Sequence, residues 1–318
     1  MNCPVCKQGS MQPTKELCKD YISEKFFKLL RCNKCSCAKT DFKEEDFQND
    51  FYGPVYYNSS KGKFIPLIEK IFQWNHKRNA KNIYHNFKPK NVLEVGCGRA
   101  YLLKELANLG IEVSCLESAT AADWILNNKD VTVATLSDSD EKEWPFPVQC
   151  FDLIVYWHVF EHIDDPILSL EQATKTLKNG KTLCISVPNI SSIQARIKPT
   201  AWFHLDVPRH LYHFSKNGLV ELLTKQGYRI EKVVAGDAIQ NLYGWFQTLA
   251  NLFTPNHPNT LYRFLQGGDP LRTVSKLSLV IQLVTSVIWV PAGILGYLVE
   301  SITGMHGNIT IYAVKTRI

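Results

Sequence analysis

Charge is missing altogether from Leu277 to Val299, a run of 23 residues bounded by Arg272 and Lys276 on one side and Glu300 on the other. Length alone would let that run cross a bilayer as one helix. Acid is nearly missing from residues 51–90, where eight Lys or Arg stand against the single carboxylate of Glu69, within a chain of net charge +6. No basic stretch followed by an apolar one opens the sequence; Cys3-Pro4-Val5-Cys6 stands there, so an export leader is not expected. Ten cysteines without an export signal argue against a disulfide framework and for thiols and a metal. No repeat and no low-complexity segment organises the chain. What remains is 318 residues, 45% of them hydrophobic, which suits one large domain with appendages around a packed core.

The expected metal has an address. Cys3-x2-Cys6 and Cys32-x2-Cys35 are two knuckles separated by 25 residues. Each can turn two thiolates toward one ion, and together they close a tetrahedral zinc site. Between them Tyr21, Phe26, Leu29 and Leu30 can supply short strands, so residues 1–45 are expected to form a zinc ribbon. Cys37 is a rival for Cys35 as the fourth ligand, and Cys18 is spare. A site closed by four cysteines is structural.

A second signal is the run Val92-Leu93-Glu94-Val95-Gly96-Cys97-Gly98-Arg99-Ala100. Apolar residues around one carboxylate make a buried strand. Two glycines then allow a sharp turn and close approach of a ligand to backbone, and a helical pattern follows (Leu102, Leu103, Leu106, Ala107). Nineteen residues beyond Gly98, the strand Ile111–Leu116 ends in Glu117, at a spacing that suits a carboxylate on the two hydroxyls of a ribose. The pair points to a nucleoside-bearing cofactor. Glu94 before the turn suits a cationic ligand better than the diphosphate of NAD.

The pattern Glu-x-Gly-x-Gly resembles the first motif of class I S-adenosylmethionine-dependent methyltransferases. So do Trp144-Pro145-Phe146-Pro147 with Phe151–Val155, Glu161–Pro166, and Leu177–Lys181 with Leu183–Val187. The likeness covers residues 85–236 and again 307–316. It implies an α/β fold: a Rossmann-like seven-stranded sheet, with the zinc ribbon before it and an apolar helical insertion before its last strand. It implies S-adenosylmethionine as cofactor, with Glu94, Gly96 and Gly98 at the methionine portion and Glu117 on the ribose. Asp140, aligned back from Trp144, falls at the position that meets the adenine amino group, with Asp138 as a rival.

Methyl transfer from a sulfonium is a direct displacement that needs position and alignment, and an acceptor hydroxyl also needs a base. Two histidine-rich segments follow parallel strands, where open α/β sheets place ligands. His158-Val159-Phe160-Glu161-His162 resembles the segment of polyprenyl-quinone O-methyltransferases that carries a base. There His158 replaces an acid that sometimes holds a metal, which argues against Mg2+. Pro208-Arg209-His210-Leu211-Tyr212-His213-Phe214-Ser215 resembles methyltransferases of surface-glycan and lipid pathways, with Ser215 capping the next helix. His162 is the leading candidate base, then His210, with His158 beside them. The Asn/Asp-Pro-Pro-aromatic motif of nucleic-acid N-methylation is missing, Tyr156-Trp157-His158-Val159 standing in its place.

Residues 46–90 read as an aromatic and basic connector followed by a helix over 64–87, with Ile65, Ile68 and Phe72 on one stripe. Residues 91–236 and 307–318 read as the methyltransferase domain and 237–306 as the insertion. Tyr228–Ala235 and Asn308–Val314 read as neighbouring strands. A single crossing by 277–299 would put them on opposite sides of a bilayer, so the run is expected to be a helical hairpin broken near Pro291, Gly293 and Gly296. The expectation is an O-methyltransferase of a small-molecule, lipid or lipid-linked saccharide acceptor, cytoplasmic and peripheral on the inner membrane face through 277–299, without a nucleic-acid partner. The alternatives are a zinc-ribbon RNA methyltransferase binding through 61–90, and a scaffold that holds the cofactor without catalysis.

Overall fold

The computed structural model describes residues 1–41, 64–118, 132–136, 143–266 and 274–316. The chain divides into two compact units, one of residues 1–69, 188–219 and 234–309, the other of 70–187, 220–233 and 310–318.

The first unit opens on an antiparallel sheet of β1 (Met11–Lys19), β2 (Phe26–Cys32) and β3 (Ala38–Asp41). Alternation sets its faces: Phe27 and Leu29 point inward, Phe26 and Lys28 outward. Between Pro13 and Leu17 the register of β1 on β2 shifts. A fourth strand, β9 (Tyr212–His213), pairs with β3 through Ala38↔His213 and Lys39↔Tyr212. It comes from the second histidine segment. The sheet's inner face packs Cys18, Phe27, Leu29 and Ala38 on Ile190, Trp202 and Leu205.

Helices α4 (Ile193–Ile197), α6 (Ala238–Phe253), α7 (Thr260–Leu265), α8 (Lys276–Val284) and α9 (Ser286–Thr303) complete this unit. Asp237 caps α6 by accepting from the backbone N–H of Ile239 and Gln240. The hairpin break is at Thr285 and not near Pro291. Thr285 donates its hydroxyl to the Ile281 carbonyl, and the Trp289 indole N–H donates to the Gln282 carbonyl, which ties the start of α9 to the end of α8. Gly293 and Gly296 serve close packing instead. A Cβ on Gly293 would lie 2.6 Å from Phe246 of α6, and one on Gly296 2.5 Å from Trp245.

The second unit carries the large sheet. Its strands are β4 (Asn91–Val95), β5 (Glu112–Ser118), β6 (Thr132–Leu136), β7 (Phe151–Trp157), β8 (Leu177–Pro188), β10 (Tyr228–Ala235) and β11 (Asn308–Lys315). Their order is β10-β11-β8-β7-β4-β5-β6. The pairs β4·β5, β4·β7, β5·β6 and β7·β8 are parallel. The seven-stranded α/β sheet is thus as expected, with β11 inserted beside β10. Strand β8 starts at Leu177, earlier than the expected Leu183, because Leu177 pairs with Phe151 while Lys178–Lys181 bulge out around Gly180 at φ +73°. Helix α1 (Pro66–Phe87) realises the expected 64–87 pattern. It is joined by α2 (Tyr101–Ala107), α3 (Pro166–Thr176) and α5 (Lys216–Lys225). Val92, Leu93 and the whole middle of β7 are buried, which puts the glycine turn at the end of the best-anchored strands.

Candidate active site

Gly96 continues the ladder one residue past β4, its N–H donating to the Leu116 carbonyl at 2.8 Å. The chain then runs through Gly96 at φ +68°, Gly98 at +51° and Ala100 at +51° before α2 begins. At Gly96 a side chain is also excluded by space, since a Cβ would sit 2.2 Å from Val159 Cγ2. At Gly98 no atom lies within 4 Å of that position, so its surroundings are open. The Gly98 N–H donates to Glu117 Oε2 at 2.9 Å, so the turn and the carboxylate at the end of β5 form one structure. A disulfide joins Cys97 in the turn to Cys115 in β5, a pairing the cysteine count did not suggest.

Glu94 lies under this turn. It is buried, and burial followed by the charge of Glu117 pushes its carboxyl well above the usual range. Its Oε2 makes no hydrogen bond. A buried carboxyl oxygen without a donor is unfavourable until a cation or an N–H reaches it. The site therefore fits a ligand with an ammonium or sulfonium group and a ribose, and residues Glu94, Gly96, Gly98 and Glu117 are together. Asp140 and its rival Asp138 lie outside the described residues.

His158 follows β7 at φ +54°, its backbone N–H held by the Ser186 carbonyl at 2.9 Å. Its Nδ1 is 3.8 Å from Oε1 of the buried Glu161, an ion-pair distance rather than a hydrogen bond. Its Nε2 is buried and makes no hydrogen bond. His162 closes a 3-10 turn over Phe160–His162 and is half-buried. Sequence reasoning missed Glu161 as a partner, although the His-x-x-Glu spacing was the available signal. His210 belongs to the first unit. Its Nδ1 is 2.9 Å from the His204 carbonyl, and a carbonyl only accepts, so Nδ1 carries the proton. That leaves Nε2 on the side of Asp206, 3.9 Å away. The neighbouring Arg209 is fully buried between Asp20 and Asp206 and lies over the Tyr21 ring.

In the small sheet the Sγ atoms of Cys3, Cys6, Cys32 and Cys35 lie within 4.8 Å of one another. Cys3···Cys35 and Cys6···Cys32 are both 3.7 Å. Four thiolates at roughly 2.3 Å from one zinc ion stand about 3.8 Å apart, so the donor set fits that metal. Cys37 lies outside that cluster of four, its sulfur accepting the Ser215 N–H at 3.2 Å and meeting the thiol of Cys35.

The sheet order, the glycine turn and the carboxylates define a methyltransferase domain. The chain belongs to the S-adenosylmethionine-dependent methyltransferases, in the methyltransferase-domain family that matches residues 67–233. Among curated relatives it is similar to a protein of Mycolicibacterium smegmatis named probable S-adenosylmethionine-dependent methyltransferase. The two are 26% identical over 52% of this chain, and the match spans 63% of that protein's length. It is 26% identical to an uncharacterized methyltransferase of Oceanobacillus iheyensis, over 64% of this chain and 83% of the relative. A ubiquinone biosynthesis O-methyltransferase of Alkalilimnicola ehrlichii is 26% identical over 31% of this chain and 42% of its own length.

Proposed function

We propose that the protein is an S-adenosylmethionine-dependent O-methyltransferase whose acceptor is a lipid-type or similarly amphiphilic hydroxyl, reached peripherally at the inner face of a membrane. When bound, the cofactor supplies a sulfonium-activated methyl group, so no nucleophile on the protein is needed. Glu94 offers a buried carboxyl oxygen that has no hydrogen bond within the protein and that a cationic or N–H-donating group of the ligand would satisfy. Gly98 gives an open backbone surface, and Glu117, held by the Gly98 N–H, offers its carboxylate to ribose hydroxyls. His158 takes the acceptor's proton at Nε2, the ring nitrogen left without a hydrogen bond in the protein, with the Glu161 carboxylate 3.8 Å from Nδ1 on the other side of the ring. His162 is the second candidate, its ring nitrogen lying within 4.8 Å of a carboxylate oxygen of the same Glu161. The four cysteines hold a structural zinc. The ubiquinone O-methyltransferase similarity supports oxygen as the methylated atom and an amphiphilic acceptor.

One observation carries the membrane part: α8 and α9 are inside out. Polar Gln282 and Glu300 are fully buried, while Leu277, Val287, Leu295, Leu298 and Ile302 are more than half exposed. Exposed apolar area on that scale marks a contact surface. Helix α9 is also apolar enough by length and composition to enter a bilayer, with 17% of it buried. Adjacent β10 and β11 bracket this segment, so it must leave and return on one side, which favours insertion into one leaflet over a crossing. Each apolar side chain moved out of water contributes roughly 1.5–3 kcal/mol. Flotation with anionic liposomes tests this. The wild type should float, and Val287→Asp with Leu295→Asp and Leu298→Asp should not, with S-adenosylmethionine binding unchanged. Equal flotation of the two proteins would remove the membrane from the proposal.

A further inference from the structure

The first unit contains a cleft of about 380 Å3 that the methyl-transfer reading does not use. That volume is within the roughly 300–1,000 Å3 of small-molecule sites. Its floor is apolar and buried: Leu29 of β2, Ile190, Trp202 and Leu205. Its rim is cationic, with Lys15, Arg31 and Arg196 against one carboxylate, Glu16. No ion pair or hydrogen bond engages the side chains of these three cations among the described residues. Lys15 reaches the rim because it sits in the register shift between Pro13 and Leu17, and such a bulge re-aims the residues it contains. Trp202 adds a donor. Its indole Nε1 is buried and has no hydrogen-bond partner, an arrangement that folding alone leaves unfavourable.

An apolar floor, a donor without an acceptor and two guanidiniums without anions describe the complement of one chemistry. We infer that this cleft binds a phosphate monoester carried on a single apolar chain. The alkyl part covers Leu29, Ile190 and Leu205. The phosphate meets Arg31 and Arg196, whose planar forks match its oxygens, with Lys15 as a further positive charge. The Trp202 N–H donates to an oxygen at the junction between head and chain. The phosphate is preferred to a carboxylate because three cations against one acid suit a dianion.

The inference stands on first-unit residues alone and does not depend on which acceptor is methylated. Calorimetry on the full chain tests it with n-octyl phosphate as the probe. The wild type should bind it, while inorganic phosphate and n-octanol should each bind at least roughly tenfold more weakly. Arg31→Glu with Arg196→Glu changes only exposed side chains and should weaken octyl phosphate by at least roughly tenfold. Trp202→Phe keeps an aromatic side chain but removes the N–H, and should weaken it roughly three- to tenfold. S-adenosylmethionine affinity should be the same in all three proteins, so a failed cofactor experiment would sink the methyltransferase reading without touching this one. Unchanged octyl phosphate affinity in the double variant would overturn the site. Equally tight binding of octanol or of inorganic phosphate would overturn the assignment of its ligand.

Discussion

Glu300 offers the sharpest test of how the first unit is held together. It is fully buried near the end of α9. Its Oε2 accepts from the Trp245 indole N–H at 2.8 Å and from Gln194 Nε2 at 3.2 Å, joining α9 to α6 and α4. Burial outweighs those bonds and pushes its carboxyl from the ordinary 4.5 up to about 7. A folded-state value above the unfolded one means that the native protein binds the proton more tightly between those two pH values. Stability from this group is therefore full below pH 4.5, falls as pH rises toward 7, and is level above. Between pH 5.5 and 8 the loss comes to at most about 2 kcal/mol. Glu300→Gln keeps an oxygen for Trp245 and cannot ionise. Urea unfolding of both proteins at pH 5.5, 6.5 and 8 should show the variant gaining on the wild type by about 2 kcal/mol across that range. Other titrating groups, such as His306 with its pKa lowered by burial and Lys216, are present in both proteins and cancel in the difference. A difference that stays constant with pH would refute the reasoning.

Three further outcomes follow from the geometry. Gly98→Ala meets only the backbone penalty at φ +51° and should cost about 1–2 kcal/mol in thermal unfolding, whereas Gly96→Ala also drives its Cβ into Val159 and should cost about 3 kcal/mol or more. The reverse ranking would contradict the packing described. Cys6→Ser should lower metal content from about one zinc per chain and reduce thermal stability, and a chelator should do the same to the wild type. Metal analysis that finds no zinc in the native chain would end that reading. His158→Ala should lower kcat by roughly 100-fold while leaving S-adenosylmethionine affinity alone; a kcat reduced no more by this change than by His162→Ala would return the base to His162.

What the sequence made legible was local. Strand β10 falls on Tyr228–Ala235 as its alternation indicates, and the matched x2 spacings select the four cysteines that cluster. The glycine turn and Glu117 meet because their separation is that of one strand-helix-strand unit. What escaped was set by pairing across long separations. Two residues, Tyr212 and His213, are too few to show a period, so only their partners on β3 identify them as a strand. Cys97 and Cys115 are brought together by the parallel register of β4 and β5, which no spacing rule encodes. The hairpin break moved from Pro291 to Thr285 because a proline five residues into α9 forfeits one hydrogen bond without ending the helix, while the Trp289 indole fastens the corner itself.

The strand at Tyr212–His213 has a consequence for the order in which the chain is made. The first three strands of the small sheet leave the ribosome early, yet among the described residues the outer edge of β3 has no strand partner until residues 212–213 arrive. Until then Asp20, which is buried against Arg209 in the finished protein, has no counter-charge. Pairing of β1, β2 and β3 and the gathering of the four cysteines are thus open to the nascent N-terminus, while completion of the four-stranded sheet waits for most of the chain that follows. A fragment ending near residue 45 should accordingly bind metal but self-associate through its β3 edge, behaving as an unfinished part and not as a module.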